Sequence, residues 1–211
     1  MGLLDILLGR TKPVAPDLDQ LFALPSAAVT LEVAAGFTPT GGGAVCFASV
    51  EGAAFEQTQR EVRALLDADA ERGGSALGER GGTPGGALPV ELRQDDYGYS
   101  WLVSQRTPDQ LPELVNDLHA VNSSMEVNGF GPQLLCSLAG FENKDAAGGA
   151  RRLALVYLYK RGTFYPFAPL PGTTQRRDNA LELQVKAALA NDLRIEQDLS
   201  RWFPVWGAPG L

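Results

Sequence analysis

At 211 residues, 45% of them hydrophobic, the chain can bury one sizeable core or two small ones. Its formal charge of −7 and pI near 4.8 argue against general nucleic-acid binding, which depends on neutralising phosphates. Two distant cysteines, Cys46 and Cys136, form neither a CxxC pair nor a disulfide framework, and the single histidine, His119, excludes histidine-rich metal sites.

The first ten residues, MGLLDILLGR, place Leu3, Leu4, Ile6, Leu7 and Leu8 on one side of a helix, an apolar arc of about 200° at ~100° per residue. We read residues 1–16 as an amphipathic helix with a hinge at Pro13 and Pro16, docked on its own domain, a partner or a membrane surface. The segment has no secretory pattern, and no apolar run approaches the ~18–20 residues of a membrane span. A cytoplasmic location, or one peripheral to the inner face of the membrane, is therefore expected.

A single domain over 17–196 follows, written as strand, strand, helix three times. In the first unit VTLEV (Val29–Val33) and AVCFASV (Ala44–Val50) read as strands, and Phe55, Val62, Leu65 and Leu66 mark a helix. Residues 70–89 hold seven glycines and bury too little to offset their chain entropy, so they read as a flexible excursion. In the second unit PVELRQ and YSWLVSQ flank an Asp95-Asp96-Tyr97-Gly98 turn. Its helix should start at Thr107, with Pro108 at the first position and Gln110 completing a capping box, and bury Leu111, Leu114, Val115, Leu118 and Met125.

The third unit has strands in QLLCSLAGF and RRLALVYLYK, a short strand at Phe164 and Tyr165, and a helix capped by Asp178. The sum predicts an α+β fold: a mainly antiparallel sheet of ββα-like units, helices largely on one side, with residues 197–211 as an aromatic tail packed on the domain. Pro166 places the short strand at an edge. The Lys160-Arg161-Gly162 corner suits a turn closed by a left-handed glycine. In LALVYLY, the helices are expected over Ala154, Val156 and Leu158, leaving Leu153, Leu155, Tyr157 and Tyr159 to the tail or a partner.

This unit also holds the one basic block of an acidic chain: Arg151, Arg152, Lys160, Arg161, Arg176 and Arg177, with no acidic residue between Asp145 and Asp178. Rings beside cations on a sheet edge suit a second chain or an anionic surface. The candidate partner-binding residues are therefore Arg151, Arg152, Tyr157, Tyr159, Lys160, Arg161, Phe164, Tyr165 and Phe167. Trp202, Phe203 and Trp206 in the tail would compete by covering that face in cis.

Catalytic signatures are missing. There is no G-x-S-x-G elbow and no phosphate loop; Gly41–Gly43 reads as a turn, His119 as an edge-of-core residue and the cysteines as buried strand residues. No cofactor is implied. A small-ligand or enzymatic site would have to be assembled in space, with Asp95, Tyr97, Asn122, Arg161 and Tyr165 as candidates.

The strings MGLLDILLGR, LFALPSAA, LHAVNSSMEVNGFGPQLLCS, LVYLYKRGTFYPFAPLPG, RRDNALELQV and DLSRWFPVWGAPGL together resemble the PspA-associated PspAB family of actinobacteria and archaea. The resemblance runs over nearly the whole chain apart from the glycine-rich excursion. It implies a role in the phage-shock-type envelope stress response built around the coiled-coil membrane-remodelling protein PspA, and no catalytic residues. The resulting expectation is a non-catalytic adaptor that binds PspA, another envelope-stress component or the anionic membrane surface, with a ligand-binding domain or enzyme as the alternative.

Overall fold

The computed structural model describes residues 16–49, 52, 55–58, 60–61, 64, 91–144, 149–172 and 175–211. The N-terminal helix, the glycine-rich excursion and the expected helical positions Val62, Leu65 and Leu66 lie outside them.

The chain enters through a 3-10 turn, Leu18–Ala23, that continues into helix α1, Leu24–Ala35. The strand expected at Val29–Val33 is therefore corrected to helix. Burial decides it: Leu24, Ala27, Ala28 and Leu31 are buried at helical spacing, whereas Val29 and Val33 are 64% and 85% exposed. Pro25 suits the first turn, and Gly36, at φ +68°, ends the helix by donating its N–H to Glu32 O at 2.8 Å. By length and composition Leu18–Ala35 reaches the threshold for a membrane span, where no such run was read, but Leu21, Leu24 and Leu31 sit in the core.

Strand β1 (Thr38–Ala48) follows, and Phe55 begins a short helical turn over 55–58 with its ring buried against Phe47 and Phe130. Strands β2 (Glu91–Gln94) and β3 (Tyr99–Gln105) form the expected hairpin, with Gly98 at φ +83°. Helix α2 (Leu111–Val127) buries the five predicted apolar residues, but starts three residues beyond Pro108. The Thr107–Gln110 reciprocal contact forms one turn earlier: Thr107 N–H donates to Gln110 Oε1 at 3.4 Å and Gln110 N–H to Thr107 O at 2.9 Å. Strands β4 (Leu134–Asn143), β5 (Arg151–Leu158) and β6 (Thr163–Phe167) complete the sheet, and helix α3 (Asn179–Ala188) is capped by Asp178, whose carboxylate accepts from Leu181 N at 3.0 Å.

The six strands run in the order β2-β3-β1-β4-β5-β6, and each neighbouring pair is antiparallel, so the α+β reading holds. The 3-10 turn and α2 cover one face. Tyr157 Oη donates to Asp17 O at 2.8 Å, and Asn122 Nδ2 on α2 donates to Ser137 Oγ at 2.8 Å. Asp117 fastens α2 to β3 with two 2.7 Å bonds from Arg106 and one of 2.5 Å from Ser104 Oγ.

The two sides of β5 are therefore the reverse of the expectation. Its larger residues Leu153, Leu155 and Tyr157 lie under the helices, and Ala154, Val156 and Leu158 face the tail. Smallness on the tail side has a steric cause: Ala154 is registered against Gly140, where an added Cβ would lie 2.0 Å from Gly210 O.

Candidate functional site

Trp101, Cys46, Cys136 and Leu158 are directly opposed across β3, β1, β4 and β5, so their side chains share the face away from α2. The tail returns across this face. Trp202 is buried, stacks on Tyr165 with 6.0 Å between ring centroids, and donates from Nε1 to Glu196 O at 3.0 Å. Tyr165 Oη donates to Phe203 O at 2.7 Å, and Trp206 meets Phe167 edge-on at 4.9 Å.

Between this tail, the β2–β3 hairpin and the β5–β6 turn lies a cavity of about 740 Å³, floored by that four-residue row and walled by Tyr97, Tyr99, Tyr165, Phe203 and Trp206. A hollow beside α3, about 190 Å³, falls below the ~300–1,000 Å³ usual for small-molecule sites.

Most charges lining the cavity are already engaged. Asp95 accepts from Trp101 Nε1 and from the N–H groups of Tyr97 and Tyr99, each at 2.9 Å. Arg161 pairs with Glu196, and Arg201 with Asp198 at 2.9 Å. Lys160, exposed at the β5–β6 turn, has no ion pair among the described residues. Tyr97 Oη accepts from Gln175 Nε2 at 2.9 Å, joining the hairpin to the loop after β6.

The Cys136 thiol, burial and the Asp95 charge all push the Cys46 thiol far up, so it is neutral at physiological pH. Burial likewise raises the Tyr165 hydroxyl, which remains a donor.

The structure redistributes the predicted partner-binding residues. Tyr157 and Phe164 are buried on the helix side, Tyr159 is buried in the turn, and Tyr165 and Phe167 lie under the tail. Nor is the strand edge open, because Phe164 N–H donates to Arg194 O and Glu196 N–H to Phe164 O, both at 2.8 Å. The basic block is dispersed: Arg151 pairs with Asp178, Arg152 donates to Leu211 O at 2.7 Å, and Arg177 binds Glu182 and Trp202 O. The single aromatic and basic edge read from the sequence is thus corrected: its rings are core, and Lys160 with the half-exposed Arg161 remains at the tip.

The alternative set fares differently. Asp95, Tyr97, Arg161 and Tyr165 all line the cavity. Asn122 does not: it is buried under α2 against Leu118 O and Ser137. The tail covers Tyr165 and Phe167 at the β6 side of the sheet while leaving this space beside it. Sequence reasoning missed the floor, since only the register between β1 and β4 reveals that Cys46 and Cys136 are neighbours. His119 lies at the core edge, against Phe22 and 3.6 Å from Asp19.

One prediction concerns Glu196, which anchors the turn to the tail. Burial pushes its carboxyl up, but the Asp198 N–H, the Arg161 guanidinium and the Thr163 hydroxyl outweigh burial and hold it below the ordinary 4.5. A depressed value in the folded state contributes stability above the ordinary carboxylate range and loses it as pH falls through the depressed value. Tryptophan fluorescence during urea unfolding at stepped pH should show wild-type stability falling toward Glu196→Gln as pH drops below about 4. A constant difference between the two proteins would exclude this role.

A family model described as PspAB, PspA associated protein B, matches residues 1–210. No curated protein and no solved structure matches the chain.

Proposed function

The chain belongs to the PspA associated protein B family, and on that premise we propose that it is a non-catalytic adaptor of an envelope stress response that binds a PspA-type coiled-coil protein. The observation that carries this reading is the cavity rim: an exposed, uncommitted Lys160 on a face that also exposes Phe203 (60%), Tyr97 (57%) and Tyr99 (43%). Coiled-coil helices present an apolar seam flanked by charges, so an acidic flank would meet Lys160 while apolar side chains meet the rings. Such a protein would work in the cytoplasm or at the inner face of the membrane.

Lys160→Glu should weaken co-purification with the PspA-type protein by roughly fivefold, the scale of a rim charge, with an unchanged circular dichroism spectrum. Lys160→Glu and Phe203→Ser both binding like wild type would reject this face. If only binding to anionic vesicles is lost, the membrane replaces the coiled coil as the partner.

A second reading, a small-ligand-binding domain, is favoured by the convergence of Asp95, Tyr97, Arg161 and Tyr165 on one cavity of about 740 Å³. Asp95 already accepts three N–H groups and Arg161 is paired, which supports binding rather than acid–base chemistry.

A further inference from the structure

We propose that the cavity holds a single-chain anionic amphiphile, its hydrocarbon along the Trp101–Cys46–Cys136–Leu158 floor and its head group at Lys160. This rests on the ligand-binding reading and names the class of ligand.

The floor offers nothing for a polar ligand to bind. Its Cys46 thiol is neutral, the Trp101 N–H is already donated to Asp95, and none of the unpartnered buried polar atoms among the described residues, Asn122 Oδ1, Gln133 Oε1 and Arg177 Nη2, belongs to a residue lining the cavity. A buried polar group on the ligand would lose its water without gaining a partner. Hydrocarbon suffers no such loss.

The charges set the direction. The Asp95 carboxylate sits at the Trp101 end, bonded to the indole N–H, whereas Lys160 lies in the turn that follows Leu158 at the other end. An anionic head is therefore repelled at one end and attracted at the other. From β3 to β5 the floor crosses three strand spacings, about 14 Å, room for an extended chain on the order of ten carbons. A docked helix, ~10–12 Å across with its side chains, is a poor occupant of a space bounded by a tail that Tyr165 and Trp202 hold to the sheet.

The test uses the purified full chain and a series of octanoate, decanoate and dodecanoate, each below its micelle-forming concentration, followed by calorimetry. Each buried methylene contributes about fourfold in affinity, so saturable one-to-one binding should tighten by roughly tenfold or more per two carbons until the floor is filled. Dodecanoate should also slow alkylation of Cys136 by N-ethylmaleimide. Lys160→Met should weaken dodecanoate about tenfold and leave dodecanol unchanged, and Leu158→Trp should remove both. Lysophosphatidylglycerol with a dodecanoyl chain binding more tightly than dodecanoate would assign the ligand to membrane lipid, and the reverse to free fatty acid. Absence of saturable binding, affinity independent of chain length, or equal effects of Lys160→Met on the acid and the alcohol would each overturn the proposal. Since no partner protein is present, these results stand apart from failure of the coiled-coil docking.

Discussion

Replacing Asp117 with alanine should cost about 3–5 kcal/mol of folding stability, the loss expected when a buried ion pair is broken from one side. Asp117 is 3% exposed as a residue, and its carboxylate takes both Arg106 bonds at 2.7 Å together with the Ser104 hydroxyl. Alanine takes two charge-assisted bonds from the guanidinium, whose side chain is 11% exposed, and removes the acceptor of the buried Ser104 hydroxyl. Urea unfolding followed by far-ultraviolet circular dichroism would report it as a lower midpoint with an unchanged slope. Asp117→Asn keeps the volume and one acceptor, so it should fall between the two. A loss under about 1 kcal/mol for alanine would mean that Arg106 finds water or another acceptor without the carboxylate.

Trp202→Ala should cost a similar amount, about 3–5 kcal/mol, through loss of a buried aromatic and the space it leaves. The ring lies between Tyr165, at 6.0 Å, and the Lys186 ammonium, 5.9 Å from its centroid, and its N–H bond to Glu196 O closes the segment that pairs with β6. Residues 203–206, the cavity wall, hang on this anchor. Cys136, 8% exposed in the wild type, should therefore react faster with N-ethylmaleimide in Trp202→Ala. Trp202→Phe keeps the stacking but not the donor, and should recover most of the stability. Unchanged thiol reactivity in the alanine variant would show that the wall is held by Phe203–Trp206 themselves.

What could be read from the sequence followed from how local each signal is. The turns closed by Gly98 and Gly162, the Asp178 cap and the buried stripe of α2 depend on residues within a few positions of one another, and each appears in the structure. The run from Leu153 to Leu158 announces a strand covered on both faces but carries no information on which cover lies where. Deciding that required Gly140 and Gly210, far along the chain, to meet. At Val29–Val33 β-branched residues favour a strand locally, and burial of Leu24, Ala27, Ala28 and Leu31 overrides them.

The site was less visible for the same reason. A window of sequence counts the cations of the basic block and omits the carboxylates that fold back onto Arg151, Arg161 and Arg177. Cys46 and Cys136 stand ninety positions apart, and their contact exists only through pairing of β1 with β4. Asp95, Tyr97, Arg161 and Tyr165 carry the right chemistry for a pocket, but nothing local sets their distances.

The wall of residues 203–206 also orders events during synthesis. When a ribosome has delivered β6, all six strands exist, yet Trp101, both thiols and Leu158 still face water, because the segment that shelters them has not emerged. For that interval the nascent domain displays a sticky hydrocarbon strip, a natural target for trigger-type chaperones and a hazard at high expression. Shelter arrives only when residues 203–206 have followed β6.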